Sequence, residues 1–216
     1  MLNEKRSEAD DARVAVHEAG HAGIGRQLYG AAIGGVTIQA DEGYSGLCWG
    51  PLYDRRRKFS ESQAPSLCEK LTATIPAVGE SREATADIYL AVFHHLVDLC
   101  AGTESERLFC TGEPAFAYDD ERQAIRYAIV ITSSPAAAAA LVAACREEAA
   151  ALLKAQESVI RAIAAALRTR RTLDGAEVDV IIEAAVAARD MAAEKVRRAK
   201  WRQSEISAAA FVEACR

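Results

Sequence analysis

Apolar and polar positions repeat with a helical period along most of this chain. Over residues 8–29 apolar residues flank the stretch His17-Glu18-Ala19-Gly20-His21, with Val14, Ala15 and Val16 before it and Ala22, Ile24 and Leu28 after. The pattern predicts a helix that stops at Gly30. β-branched Val36, Thr37 and Ile38 then predict a strand over 34–40, residues 41–44 read as a turn, and 46–50 as a second short strand. From 54 to 81 the pattern is irregular. Helical periodicity returns over 83–109, breaks at Thr111-Gly112-Glu113-Pro114, and resumes over 119–131. An Ala-rich stretch predicts one helix from Pro135 to about Arg170. Thr172-Leu173-Asp174-Gly175 separates it from the next, which Asp174 and Glu177 open as a capping box. That helix is expected to reach about Trp201, with a short tail helix beyond. The predicted fold class is mainly α, with a small β-hairpin or sheet beside the first helix and a C-terminal helical bundle.

Composition narrows the function classes. At 216 residues, half of them hydrophobic, the chain is expected to form a single domain with a sizeable core. A net charge of -5 argues against nucleic acid as a partner. The charged N-terminus shows no secretory h-region, and the longest apolar run, 135–145, is too short to span a bilayer. No membrane segment is expected. The six Cys form no C-x-x-C pair, as expected of free thiols in a reducing cytoplasm.

The chemistry concentrates at His17-Glu18-Ala19-Gly20-His21. Residues four apart share a helix face, so both imidazoles can reach one metal ion with Glu18 beside it. That is the arrangement of a zinc peptidase: two ligands and a general base. Two His and a Glu on a surface helix need no metal, but the chain has only four His and two fall at this spacing. Gly20, Gly23 and Gly25 each cost a helix roughly 1 kcal/mol relative to Ala, and their small size lets another element approach the metal face. A catalytic zinc takes three protein ligands. Six residues past His21 stands Gln27, not a third His. Adjacent His94 and His95 point about 100° apart on a helix and read as ordinary helix residues. Asp119 and Asp120 read locally as N-terminal capping residues. The basic run at 55–58 reads as a solvated loop or a site for an acidic partner. The predicted strand through Val36, Thr37 and Ile38 is placed to align an extended substrate by edge pairing.

Five segments in order resemble the peptidase domain of the FtsH-like AAA+ membrane proteases. Val14-Ala15-Val16-His17-Glu18-Ala19-Gly20-His21-Ala22 is similar to its V-A-x-H-E-A-G-H-A. Val36-Thr37-Ile38 is similar to its V-T-I strand, and Ala101-Gly102-Thr103-Glu104-Ser105-Glu106-Arg107-Leu108 to its A-G-R-A-A-E-E-L. Tyr118-Asp119-Asp120-Glu121-Arg122-Gln123-Ala124 resembles S-N-D-x-x-x-A, and Thr172-Leu173-Asp174-Gly175-Ala176-Glu177-Val178 resembles T-L-D-G-x-E-V. The resemblance implies zinc held by His17, His21 and Asp120, Glu18 as general base, and Glu106 in a supporting role. It implies a zinc-site core over 8–132 with a divergent insertion at about 51–98, followed by a helical part over 135–216. The lead-in to Asp120 departs from the family pattern, and no G-x-x-x-x-G-K-[ST] occurs. The expected function is therefore that of a soluble, cytoplasmic, ATP-independent zinc metallopeptidase acting on unfolded or flexible polypeptides. A separate ATPase or a homo-oligomer is the further partner class. The alternative is a non-catalytic interaction or regulatory protein that retains the fold.

Overall fold

The computed structural model describes residues 6–30, 33–40, 44–50, 64–116 and 118–216. The turn expected at 41–44, apart from Tyr44, and the basic run at 55–58 lie outside them. The first helix, α1, runs Glu8–Tyr29. The Ser7 hydroxyl accepts from the Asp10 N–H at 3.1 Å, and Glu8, Asp10 and Asp11 put negative charge at the positive end of the helix. Gly30 closes it in the left-handed region at φ 61°, its N–H donating to the Arg26 carbonyl. Between Val14 and Gly25 almost every residue of α1 is buried, so this is a central helix with no wet face.

Two helices close on it. Helix α3, Ala86–Phe109, follows α2, Ala64–Thr72, and a 3-10 turn at Glu83–Thr85. Helices α4 (Tyr118–Ile131), α5 (Pro135–Ala155) and α6 (Glu157–Arg170) come next. Helix α3 packs along one side of α1 and α6 along another, while α5 and α4 back onto α3. The glycines of α1 permit this closeness: a Cβ on Gly20 would lie 2.7 Å from the Ala101 carbonyl oxygen, and one on Gly23 would lie 2.4 Å from Ile160 Cδ1. Ile24, Leu96, Leu153, Ile160, Ile163 and Leu167 are sealed from solvent in one continuous core, each such side chain contributing about 1.5–3 kcal/mol.

Strands β1 (Gly35–Thr37), β2 (Leu47–Trp49) and β3 (Thr172–Asp174) form an antiparallel sheet in the order β2-β1-β3. Val36 faces Cys48 on one side and Leu173 on the other. The sheet corrects the expectation that Val36, Thr37 and Ile38 offer an edge to substrate. Val36 and Thr37 are paired on both sides, and beyond them the Ile38 N–H donates to the Arg171 carbonyl. Arg6 donates to the carbonyls of Ile38 and Ser45 and to Asp11 Oδ1 at 2.9 Å, tying both strand ends to the base of α1.

Four more expectations are corrected. The irregular stretch 54–81 contains α2. The single helix expected over 135–170 is two, because Gln156 leaves helical geometry and turns the chain from α3, under α5, to α1, under α6. The separator at 172–175 is strand β3, which starts after Arg171 ends α6 at φ 66°. The last helix, α7, opens on the expected Asp174–Glu177 capping box but runs unbroken over Gly175–Ala214, past Trp201. Only its first turns pack: Gly175 and Val178 are buried, Ile181, Ile182, Ala185 and Val186 partly so, and Met191, Trp201, Ile206 and Phe211 face solvent. Among the described residues no helix is long and apolar enough to cross a membrane.

Candidate metal centre

Two antiparallel helix faces build the site. On α1, Arg13, His17, His21 and Gly25 follow at intervals of four and so share a face. On α3, Glu106, Gly102 and Asp98 do the same in the opposite direction. Across the seam Arg13 and His17 meet Glu106, both histidines meet Gly102, and His21 and Gly25 meet Asp98. Gly102 keeps the centre open: a Cβ there would lie 2.4 Å from His21 Nε2 and 2.5 Å from His17 Nε2.

Asp120, in the first turn of α4, points into this opening. Its Oδ2 lies 3.0 Å from His17 Nε2 and 3.3 Å from His21 Nε2, and the two Nε2 atoms are 3.2 Å apart. Ligand atoms about 2.0–2.2 Å from one tetrahedral metal ion sit about 3.3–3.6 Å from one another. The three groups thus need to part by only tenths of an ångström to take an ion, and His17, His21 and Asp120 together can hold one. Asp119 has turned away to Arg122 and Gln123 at the surface.

The far side of each ring is anchored. His17 Nδ1 lies 2.8 Å from Glu106 Oε1, and His21 Nδ1 lies 2.9 Å from the Asp98 carbonyl oxygen. With Nδ1–H donating to these acceptors, Nε2 of each ring carries the lone pair a metal needs. Glu106 is fully buried and also accepts from Arg13 Nη1 at 3.2 Å, Ala115 N at 2.9 Å and Phe116 N at 3.4 Å. Burial works against its charge, but the hydrogen bonds from His17 and Ala115, with Arg13, hold its carboxyl below the usual range.

Charges at the centre are strongly coupled. Burial disfavours the imidazolium of His17, yet the Asp120 and Glu106 carboxylates raise it to about 9. Burial likewise opposes His21, and Asp120 followed by Asp98 raises it well above its ordinary value. Burial also opposes the Asp120 carboxylate, which the two histidines hold well below its usual range. Glu18 is buried one residue from His17, and burial pushes it up to about 7. The chain before β2 crosses over it: a Cβ on Gly46 would lie 2.5 Å from Glu18 Oε1.

His17, Glu18, His21, Asp120 and Glu106, all expected from the sequence or its resemblance, are thus brought together. Val36 and Thr37 are committed to the sheet. His94 and His95 are not among the converging ligand atoms; His95 lies with its ring edge-on to Tyr127 at 4.6 Å. Sequence reasoning missed Asp98, Arg13 and the role of Gly102. Their signal was the i, i+4 spacing of 98, 102 and 106, matched by 13, 17 and 21. No protein-family model matches this chain, and no curated protein matches it.

Proposed function

We propose that the chain is a zinc metallopeptidase that hydrolyses peptide bonds in unfolded or flexible polypeptides. The observation that carries this reading is the convergence of His17 Nε2, His21 Nε2 and Asp120 Oδ2 within 3.0–3.3 Å of one another, with buried Glu18 alongside. The resemblance to the FtsH-like peptidase domain supports it, since three of the five segments that carry it, 14–22, 101–108 and 118–124, supply the residues that meet here. Two neutral imidazoles and one carboxylate suit zinc. A zinc ion there supplies Lewis acidity to the scissile carbonyl and to the attacking water.

The protein's own groups do the rest. Buried Glu18 takes the water's proton and returns it to the leaving amine. Glu106 and the Asp98 carbonyl fix the ring orientations. Among the described residues β2 is one of the two outer strands of the sheet, and the chain entering it at Gly46 lies against Glu18. An extended polypeptide laid along β2 passes the base, which moves the substrate-aligning role from β1 to β2. Glu18→Gln keeps the ligands and the shape but cannot accept the proton. It is expected to retain zinc by elemental analysis and lose roughly 10²–10⁴-fold in hydrolysis of an unfolded protein. Wild-type turnover by Glu18→Gln refutes the mechanism.

The second reading, an interaction protein retaining the fold, draws on α7, whose distal half exposes Trp201, Ile206 and Phe211. Bound zinc with no hydrolysis of any unfolded substrate would favour it.

A further inference from the structure

The two ligand histidines are supported differently. Glu106 touches His17 directly and shares its charge among Arg13 and two backbone N–H groups as well. Asp98 stands at the equivalent place behind His21, eight residues earlier on the same face of α3. Its backbone carbonyl takes the His21 Nδ1 hydrogen bond at 2.9 Å, while its carboxylate Oδ1 lies 3.7 Å from the same nitrogen. That oxygen is buried and accepts no hydrogen bond. Gly25, one turn beyond His21 on α1, faces the same oxygen: a Cβ there would lie 3.4 Å from Asp98 Oδ1, at van der Waals contact. A buried carboxylate oxygen left without a donor is unfavourable for folding alone. Among the described residues, the basic side chain within 4.0 Å of it is His21, at Nδ1.

We propose that Asp98 is a positioning residue for His21, its carboxylate strengthening that imidazole as a metal ligand as Glu106 does for His17. The inference rests on the metal-centre reading above. A negative charge facing Nδ1–H makes Nε2 the more basic donor and disfavours the tautomer that would carry its proton at Nε2. Each ligand histidine then has its own carboxylate, and Gly102 lies between the two on α3. The loss expected on removing such a partner is about 10–100-fold in metal affinity.

The test is zinc affinity of the metal-free full chain, measured by competition with a chromophoric chelator, for wild type, Asp98→Asn and Asp119→Asn. The thermal midpoint of each metal-free protein is measured in parallel. Asp98→Asn keeps the backbone carbonyl and the side-chain shape and removes only the charge. Zinc binding is expected to weaken about tenfold or more in Asp98→Asn with the midpoint unchanged, and to stay at the wild-type level in Asp119→Asn. Wild-type affinity in Asp98→Asn overturns the assignment while leaving the metal centre standing. Absence of zinc binding in wild type overturns the centre, and the assignment with it. If Asp98→Asn also lowers the midpoint, the comparison passes to Asp98→Glu, which restores the charge. Recovered affinity in Asp98→Glu supports the role, and affinity as weak as that of Asp98→Asn refutes it.

Discussion

At the residue scale, a metal ion held by this centre would compete with protons for the same three atoms. His17→Ala, His21→Ala and Asp120→Ala each delete one converging atom, and each is expected to abolish stoichiometric zinc. Asp119→Ala, whose carboxylate faces Arg122 and Gln123, is expected to retain it. Equal zinc loss at Asp119 and Asp120 would undo the ligand assignment and bring Glu106 forward as third ligand. The same competition sets a pH dependence. In the metal-free protein His17 is raised from 6.5 to about 9, and His21 moves in the same direction. A folded-state value above the unfolded one adds stability that is complete below pH 6.5 and lost as the pH rises through 9. Zinc needs the unprotonated Nε2, so its affinity rises over the same window. Thermal midpoints of chelated and zinc-loaded protein are therefore expected to diverge from pH 6.5 to 9, the loaded form gaining on the other. A constant gap across that window would show that no proton leaves when the metal enters.

At the scale of elements the site is one helix seam closed by a third helix. Arg13, His17, His21 and Gly25 run up α1 while Glu106, Gly102 and Asp98 run down α3. Asp120 arrives on α4, which is packed on α3. Gly102→Ala tests that geometry. In an open helix the change gains up to about 1 kcal/mol, but here the new Cβ would lie 2.4–2.5 Å from both ligand nitrogens. Zinc content is expected to fall to background, with a midpoint lowered by a shift worth about 1–3 kcal/mol. Normal zinc content in Gly102→Ala would mean that α3 does not pack against the ligand face. What was legible in the sequence follows from which signals are local. Gly30 and the Asp174–Glu177 box are short-range signals, and the helix ends they mark lie where the sequence places them. His17, Glu18 and His21 announce themselves by spacing on one helix. Asp120 did not: alone it is a capping residue, and only resemblance singled it out. Strand β3 is three residues long and exists because β1 pairs with it from 135 positions away, at Thr37 and Thr172. Gln156 interrupts two helices with no Gly or Pro nearby, because α5 and α6 have different packing partners. Asp98 and Gly102 become readable only once α3 is known to face α1.

At the scale of the whole molecule, the proposed peptidase activity requires that a substrate reach Glu18. The base is buried and the chain at Gly46 crosses over it, so a scissile bond must arrive in an extended segment. A native domain resists exposing such a segment by about 5–15 kcal/mol. Hydrolysing ATP through a phosphate-binding loop is one way to meet that cost, and these 216 residues contain no G-x-x-x-x-G-K-[ST]. Nor does α7 provide a motor. It is one 40-residue helix, about 60 Å long, packed at its first turns and exposed beyond them. The purified chain is therefore expected to cut a casein-like unfolded protein without ATP and to leave a tightly folded one intact. Digesting one substrate in its stable form and in a variant destabilised by about 3 kcal/mol separates the possibilities. If cleavage samples the transiently opened state, that destabilisation multiplies the rate by roughly a hundredfold. Equal rates on the two forms would mean that the cleft takes folded surface loops directly. Stimulation by ATP in the single purified chain would mean that the nucleotide acts through a site other than a P-loop. The expected result, a rate that tracks substrate stability and ignores ATP, would place the limiting step in the unfolding of the substrate.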